Sequence, residues 1–265
     1  MLTRLRRRSL AAIAFPVLLL SISGCDIVTA EYGSQETAEW RKSYDLQPGG
    51  RVEISNVNGR IDVEPAAGNT VEVIAVKTAK AGSPEAAKEA LQRIEIVEDT
   101  SGSVVRVETR LPRSSGLFRA SGEVRYTVKV PAAASSKFRT VNGAIEIAGL
   151  NGRVEAETTN GGIRAREIGG PIDASTTNGG VEIDVTRIAD PGVNLSCTNG
   201  GIKLRVPSGA KATISASVTN GGINAEGLSL ETSQSTRRRL EARLNGGGPS
   251  VRIEGTNGGI TISSR

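Results

Sequence analysis

One four-residue phrase, Thr-Asn-Gly-Gly, limits what this chain can fold into. It occurs at Thr159–Gly162, Thr177–Gly180, Thr198–Gly201, Thr219–Gly222 and Thr256–Gly259, and the variant Val141-Asn142-Gly143-Ala144 precedes them. The asparagines at 142, 160, 178, 199 and 220 are spaced by 18, 18, 21 and 21 residues, and Asn257 closes the series. A period near 20 residues marks supersecondary units that bury their apolar faces only by stacking on one another.

Apolar or small residues alternate with polar ones on both sides of the phrase. Ile172, Ala174 and Thr176 lead into one copy, and Val181, Ile183 and Val185 leave it. Period-two alternation means strands with one buried face, so each repeat reads as strand, corner, strand and second corner. Asn-Gly between such strands also suits a hairpin, because both residues tolerate positive φ, and a meander of hairpins is the competing reading. A coil accounts for more. When corners stack, each corner position becomes a column, and one residue type suits the whole column. Asparagines in file can hydrogen-bond as amide ladders do, and glycine turns the backbone without a Cβ penalty. The expected fold is all-β: a single-stranded β-solenoid (β-helix) with about 18–21 residues per coil, plus one short helix near the N-terminal part. Asn142, Asn160, Asn178, Asn199, Asn220 and Asn257 are the expected structural corner ladder.

The start of the chain has a different character. Arg4, Arg6, Arg7 and Arg8 precede an apolar run from Leu10 to Ile22. These are signal-peptide proportions, and the run is short for a membrane span. It ends in Ile22-Ser23-Gly24-Cys25, which resembles the lipobox of bacterial lipoproteins. The resemblance implies cleavage after Gly24 and a diacylglycerol on Cys25, hence a membrane partner through the N-terminal lipid. The first 24 residues hold four of the 33 basic residues and no acids, leaving 29 basic against 28 acidic residues. The basic balance of the whole chain therefore belongs to its leader and gives no reason to expect nucleic-acid binding.

The remaining chain divides in three. Residues 25–47 read as a polar, lipid-anchored tether that becomes ordered near Trp40. Residues 48–140 read as strands and a short helix flanking the stack. They include Val57-Asn58-Gly59-Arg60 as a first coil or its relative, and a helix from Glu85 to about Arg93 that Ser83 can cap and Pro84 can open. That helix is expected to cap an open end of the solenoid, and residues 112–122 form a Ser/Gly-rich loop. Residues 141–265 read as the regular repeats, interrupted by polar Leu228–Arg239. Outward positions after the corners, taken as adjacent coils, alternate in charge: Arg164 and Arg166, Glu182 and Asp184, Lys203 and Arg205, Asn224 and Glu226.

Residue chemistry narrows the function. The chain has no histidine, and Cys197 is the only cysteine besides Cys25. Placed inward between Thr176 and Val218, Cys197 reads as a small buried hydrophobe, since a nucleophile needs a base beside it. Ile or Val follows the glycines where calcium-binding β-rolls carry Asp, so no metal is expected. Phe138 is the only aromatic residue within or beside the repeats, which argues against ring stacking on sugars. No cofactor is expected, and Glu182 with Asp184 is the one carboxylate pair placed to suggest hydrolysis. The repeated words, with Ile or Val after each, resemble a bacterial family of adhesin-like domains of unknown function that coil as β-solenoids. The resemblance covers about Arg51 to the end and implies a cell-envelope protein, periplasmic or surface-exposed. It leaves three readings: a non-catalytic binding, adhesion or structural surface for an envelope protein or glycan; an envelope-stress sensing accessory; and a polysaccharide-acting enzyme, the least favoured.

Overall fold

A computed structural model of the chain describes residues 33–112 and 120–265. The leader, Cys25, the first part of the tether, Phe118 and most of the 112–122 loop lie outside the described residues. In chain order the strands are β1 (Ser34–Asp45), β2 (Arg51–Ser55), β3 (Ile61–Ala66), β4 (Thr70–Ala81), β5 (Glu95–Asp99), β6 (Val104–Arg110) and β7 (Ser121–Pro131). They continue with β8 (Ser135–Asn142), β9 (Ile145–Ala148), β10 (Val154–Asn160), β11 (Ile163–Ile168), β12 (Ile172–Asn178), β13 (Val181–Val185) and β14 (Gly192–Asn199). The last are β15 (Ile202–Val206), β16 (Ala212–Asn220), β17 (Ile223–Glu226), β18 (Leu230–Thr236), β19 (Arg239–Leu244), β20 (Ser250–Asn257) and β21 (Ile260–Ser264). Helix α1 (Pro84–Gln92) lies between β4 and β5.

The coils form a β-solenoid. Each contributes one strand to each of two sheets, whose orders are β1-β4-β7-β3-β9-β11-β13-β15-β21-β17 and β18-β19-β16-β20-β14-β12-β10-β8-β2-β6-β5. Strands of neighbouring coils run parallel and in register, so that Val154, Ile172, Val193, Val251 and Ile214 form one inward row. Such rows from both sheets meet in one continuous core that includes Ile54, Phe138, Ile163, Ile183 and Leu204. The parallel pairing excludes the hairpin meander.

Spatial order departs from chain order at both ends. The final coil, β20–β21, is inserted between β14–β15 and β16–β17, although it follows both in sequence. Pairing explains the detour. The hairpin β18–β19 runs antiparallel onto the outer edge of β16, so the last coil enters on the other side. Two glycines separate the corner Asn from the first Ile in each of these coils, so a coil fits either slot without a change of register. At the opposite end β6–β7 lies outside β2–β3, so the 48–140 region supplies two coils of the stack in addition to flanking elements.

Both ends carry antiparallel edges. The tether expected through Gln47 gives way at Ser34 to β1, which pairs with β4 along its whole length. Its polar residues hid it, because an edge strand needs little apolar surface. The exposed strand β18 escaped sequence reading for the same reason. Helix α1 starts where Ser83 Oγ accepts from the Ala86 amide at 3.2 Å, and it buries Ala87 while Ala90 and Leu91 pack on the core. It packs on β1 and β4 and leads directly into β5, the last strand of the other sheet. Tyr44 Oη donates to Glu98 Oε2 at 2.6 Å, tying β1 to β5, and Lys42 also pairs with Glu98. The hydrogen bond from Lys42, then that from Tyr44, hold the Glu98 carboxyl below the usual range.

The stacking distance is set at the corners. A Cβ on the first corner glycine would lie 2.1 Å from the preceding carbonyl oxygen at Gly143, 1.9 Å at Gly161, 2.1 Å at Gly179 and 1.8 Å at Gly221. The second corner glycine has room: a Cβ at Gly180 would lie 3.5 Å from its nearest neighbour. Accordingly Ala144 and Arg60 stand at that second position in two coils, while the first is glycine in every one. Gly179→Ala should therefore lower stability in urea unfolding by about 3 kcal/mol, whereas Gly180→Ala should stay within about 1 kcal/mol of the parent.

Candidate functional site

The corner asparagines stand in one file. Each side-chain amide donates to the Oδ1 of the next: Asn142 to Asn58 at 2.8 Å, Asn160 to Asn142 at 2.8 Å, Asn178 to Asn160 at 2.9 Å and Asn199 to Asn178 at 2.9 Å. The file then runs through the inserted coil, with Asn257 donating to Asn199 at 2.8 Å and Asn220 to Asn257 at 2.9 Å. Asn58, from the outlying copy of the phrase, ends the file by donating to the Gly122 carbonyl at 3.0 Å.

A second file runs inside the first. The residue two before each Asn faces inward, and Thr140, Thr158 and Thr176 donate their hydroxyls to the corner carbonyls of Gly59, Gly143 and Gly161 at 3.2, 2.9 and 2.8 Å. Cys197 takes the same place, its Sγ 3.1 Å from the Gly179 oxygen. It is buried as expected, but its outer neighbour is Gly255, not Val218, and its thiol acts as a donor as well as a small apolar group. Burial pushes the thiol pKa up, away from reactivity.

On the outer face of the ten-stranded sheet, opposite charges pair across neighbouring coils. Glu146 faces Arg60 and Arg164, the latter at 3.2 Å, and Glu182 lies 3.5 Å from Arg164 and 3.2 Å from Arg205. The alternation stops earlier than chain order suggests, because Thr261 and Ser263 stand beside Lys203 and Arg205, and Asn224 and Glu226 come one coil later. Asp184, partner of Glu182 in the hydrolytic reading, lies 3.3 Å from Arg265. Both carboxylates thus face guanidinium groups.

The outer face of the eleven-stranded sheet is different. On β12 and β14 its outward side chains are short: Asp173 and Ser175, then Asn194 and Ser196. Longer side chains rise on either side, Lys137, Arg139, Glu155 and Glu157 toward β8 and β10, and Arg252 and Glu254 on β20. The result is a polar groove. Its largest section, about 480 Å³, lies between Arg153, Asp173, Asn194 and Arg252, with Pro171 and Pro191 at one end. A section of about 150 Å³ adjoins it across Asp173 and Ser175. A third, about 290 Å³, continues past Ser196 and Glu254 to Ser217, Thr219 and Thr256. Along the rim Glu155 accepts from Lys137 at 3.0 Å and faces Arg51 at 3.2 Å, which hold its carboxyl below the usual range despite partial burial. Among the described residues no group of three or more acidic, Cys or His side chains is placed to hold a metal ion.

The sequence profile described as Toastrack DUF4097 matches residues 42–263. The chain belongs to the Toastrack DUF4097 family. Its match begins at residue 42 and so takes in the end of β1, the strand that the repeat pattern leaves out. Among solved structures, a Clostridium sporogenes protein provisionally named as a cell adhesion protein shares 11% identity, with a TM-score of 0.45 over 87% of this chain and 100% of that one. A provisionally named Bacteroides fragilis adhesin shares 9%, with a TM-score of 0.35 over 86% of this chain and 97% of that one. A Parabacteroides distasonis protein provisionally named as lipid binding shares 13%, with a TM-score of 0.30 over 87% of this chain and 97% of that one. No curated protein matches the chain.

In this Toastrack chain the sequence-selected asparagines all fall in one file. The groove residues went unnoticed, because their outward register was visible but their spatial neighbours were not. Removing three rungs with Asn178→Ala and Asn199→Ala should cost about 1 kcal/mol per lost hydrogen bond, read as a lower urea midpoint with an unchanged slope.

Proposed function

We propose that the chain is a cell-envelope lipoprotein whose solenoid offers a non-catalytic binding face, with an extended, hydroxyl-rich glycan as the ligand class. The observation that carries this reading is the groove. Its floor offers a carboxylate, an amide and hydroxyls in rows, from Asp173, Asn194, Ser175, Ser196 and Ser217. Such a surface suits a polymer that presents donors and acceptors along its length. The charge pairing of Glu182 and Asp184 supports binding over hydrolysis. The lipobox-like sequence at Cys25 supports attachment to a membrane through an acyl group.

Two experiments test the reading. In cells, Cys25→Ser should leave the chain unprocessed or in the soluble fraction; partition with membranes like the parent would count against acylation as the anchor. In vitro, the mature protein should sediment with purified envelope polysaccharide. Ser175→Arg with Ser196→Arg would raise the groove floor on the solvent side of the sheet. That variant should weaken binding by about tenfold or more while keeping the parental thermal midpoint. Equal binding by parent and variant, or no binding by the parent, would remove the groove from the account.

A further inference from the structure

The chain contains nine Asn-Gly pairs, with asparagine at 58, 142, 151, 160, 178, 199, 220, 245 and 257. Asn-Gly is the dipeptide in which the main-chain nitrogen most readily attacks the preceding side-chain amide, because glycine has no Cβ to obstruct the approach. A fold built on this word carries a chemical liability at every corner, and the stack answers it unevenly.

At the corners within the file, the glycine amide that would attack is engaged. Gly143 N–H donates to the Asn160 carbonyl at 2.9 Å, Gly161 to Asn178 at 2.8 Å, Gly179 to Asn199 at 2.9 Å, Gly200 to Asn257 at 2.9 Å and Gly258 to Asn220 at 2.9 Å. Gly59 donates to the Asn142 carbonyl at 2.8 Å, and Gly152, at a second corner, to the Ala132 carbonyl at 2.9 Å. The asparagine side chains in the interior of the file are also held at both ends, each donating to one neighbour and accepting from the other.

Asn220 lies at the open end. Its amide donates to Asn257 at 2.9 Å, but among the described residues no donor reaches its Oδ1 and no acceptor meets the Gly221 N–H. The β18–β19 turn caps this coil on either side of the corner and skips the corner itself. Arg238 accepts from Val218 N–H at 2.9 Å and Arg237 from Ile223 N–H at 3.0 Å. Gly246 N–H is likewise without an acceptor among the described residues, but the Asn245 amide is pinned by the carbonyls of Ser208 at 3.0 Å and Ala210 at 2.7 Å.

We infer that Asn220 is a site of spontaneous deamidation in the folded protein. The Gly221 nitrogen forms a bond to Asn220 Cγ, and the Cγ–Nδ2 bond breaks. The proton from Gly221 leaves with Nδ2 as ammonia. Water then opens the succinimide ring at either carbonyl, giving aspartate or isoaspartate. The aspartate product loses the last rung of the file, since a carboxylate at 220 no longer donates to Asn257, while isoaspartate also lengthens the main chain at this corner by one carbon.

The test is incubation of the folded protein in mildly alkaline buffer, followed by peptide mass spectrometry. The peptide containing Asn220 should gain the mass of an amide-to-acid exchange at least about tenfold faster than those containing Asn160, Asn178 and Asn199, whose reaction first requires local opening of the stack. In urea above the unfolding midpoint the rates should converge. Asn220→Gln should abolish the fast component and leave the other peptides unchanged. Equal rates along the folded file, a leading rate at Asn245, or a difference that persists in urea would each overturn the inference.

Discussion

The close approach of successive corners is the constraint on which the rest of this structure depends. A carbonyl oxygen about 2 Å from where a Cβ would stand leaves room only for glycine. The adjacent asparagine must then spend its amide on the coil beside it. Once corners are stacked this tightly, the strands leaving them have no freedom of register. Inward rows become continuous, and outward side chains fall into columns whose successive members lie roughly 4.8 Å apart. The two sheets are consequences of the corner more than of strand propensity, and so is the single core between them.

The same constraint explains what the sequence could and could not reveal. The coil was legible because a stacked corner imposes the same word on every repeat. The order of coils was not. With equal spacing from asparagine to strand, the coil after β15 could be β16–β17 or β20–β21 without a change of register. What decides is the hairpin β18–β19, whose strands are polar and exposed, and so lack the alternation that betrays a buried strand. β1 went unseen for a related reason, since the core needs only one face of it and only in part. Cys197 was placed correctly as buried but not as a donor, because its role follows from the position of the Gly179 carbonyl in the coil below.

The groove shows how much the order of coils matters. Had the stack followed the chain, Asn194 and Ser196 would lie beside Ser215 and Ser217, and that side of the sheet would be nearly level. Insertion of the last coil sets Arg252 and Glu254 there instead, with Ser215 and Ser217 one strand further out. The wall that turns a flat polar face into a groove is therefore supplied by the C-terminal residues. The polar edge strands at either end add protection, covering β7 and β16 with antiparallel partners instead of leaving parallel coils open to further stacking.

Columns also bear on chemistry. Acid–base catalysis on a sugar needs one carboxyl kept neutral near another kept ionised, at a separation set by the reaction. In a register-locked stack, adjacent outward positions are always neighbours, and like charges there repel. Guanidinium groups answer this across the coils, Arg60 pairing with Glu146, Arg164 with both Glu146 and Glu182, and Arg205 with Glu182. Glu146 and Glu182 each lie between two guanidinium groups, and the pairing does not set one carboxylate apart from the other. A surface of this kind holds charge and hydrogen-bonding groups in fixed rows, and the proposed recognition of an extended polymer rests on that property.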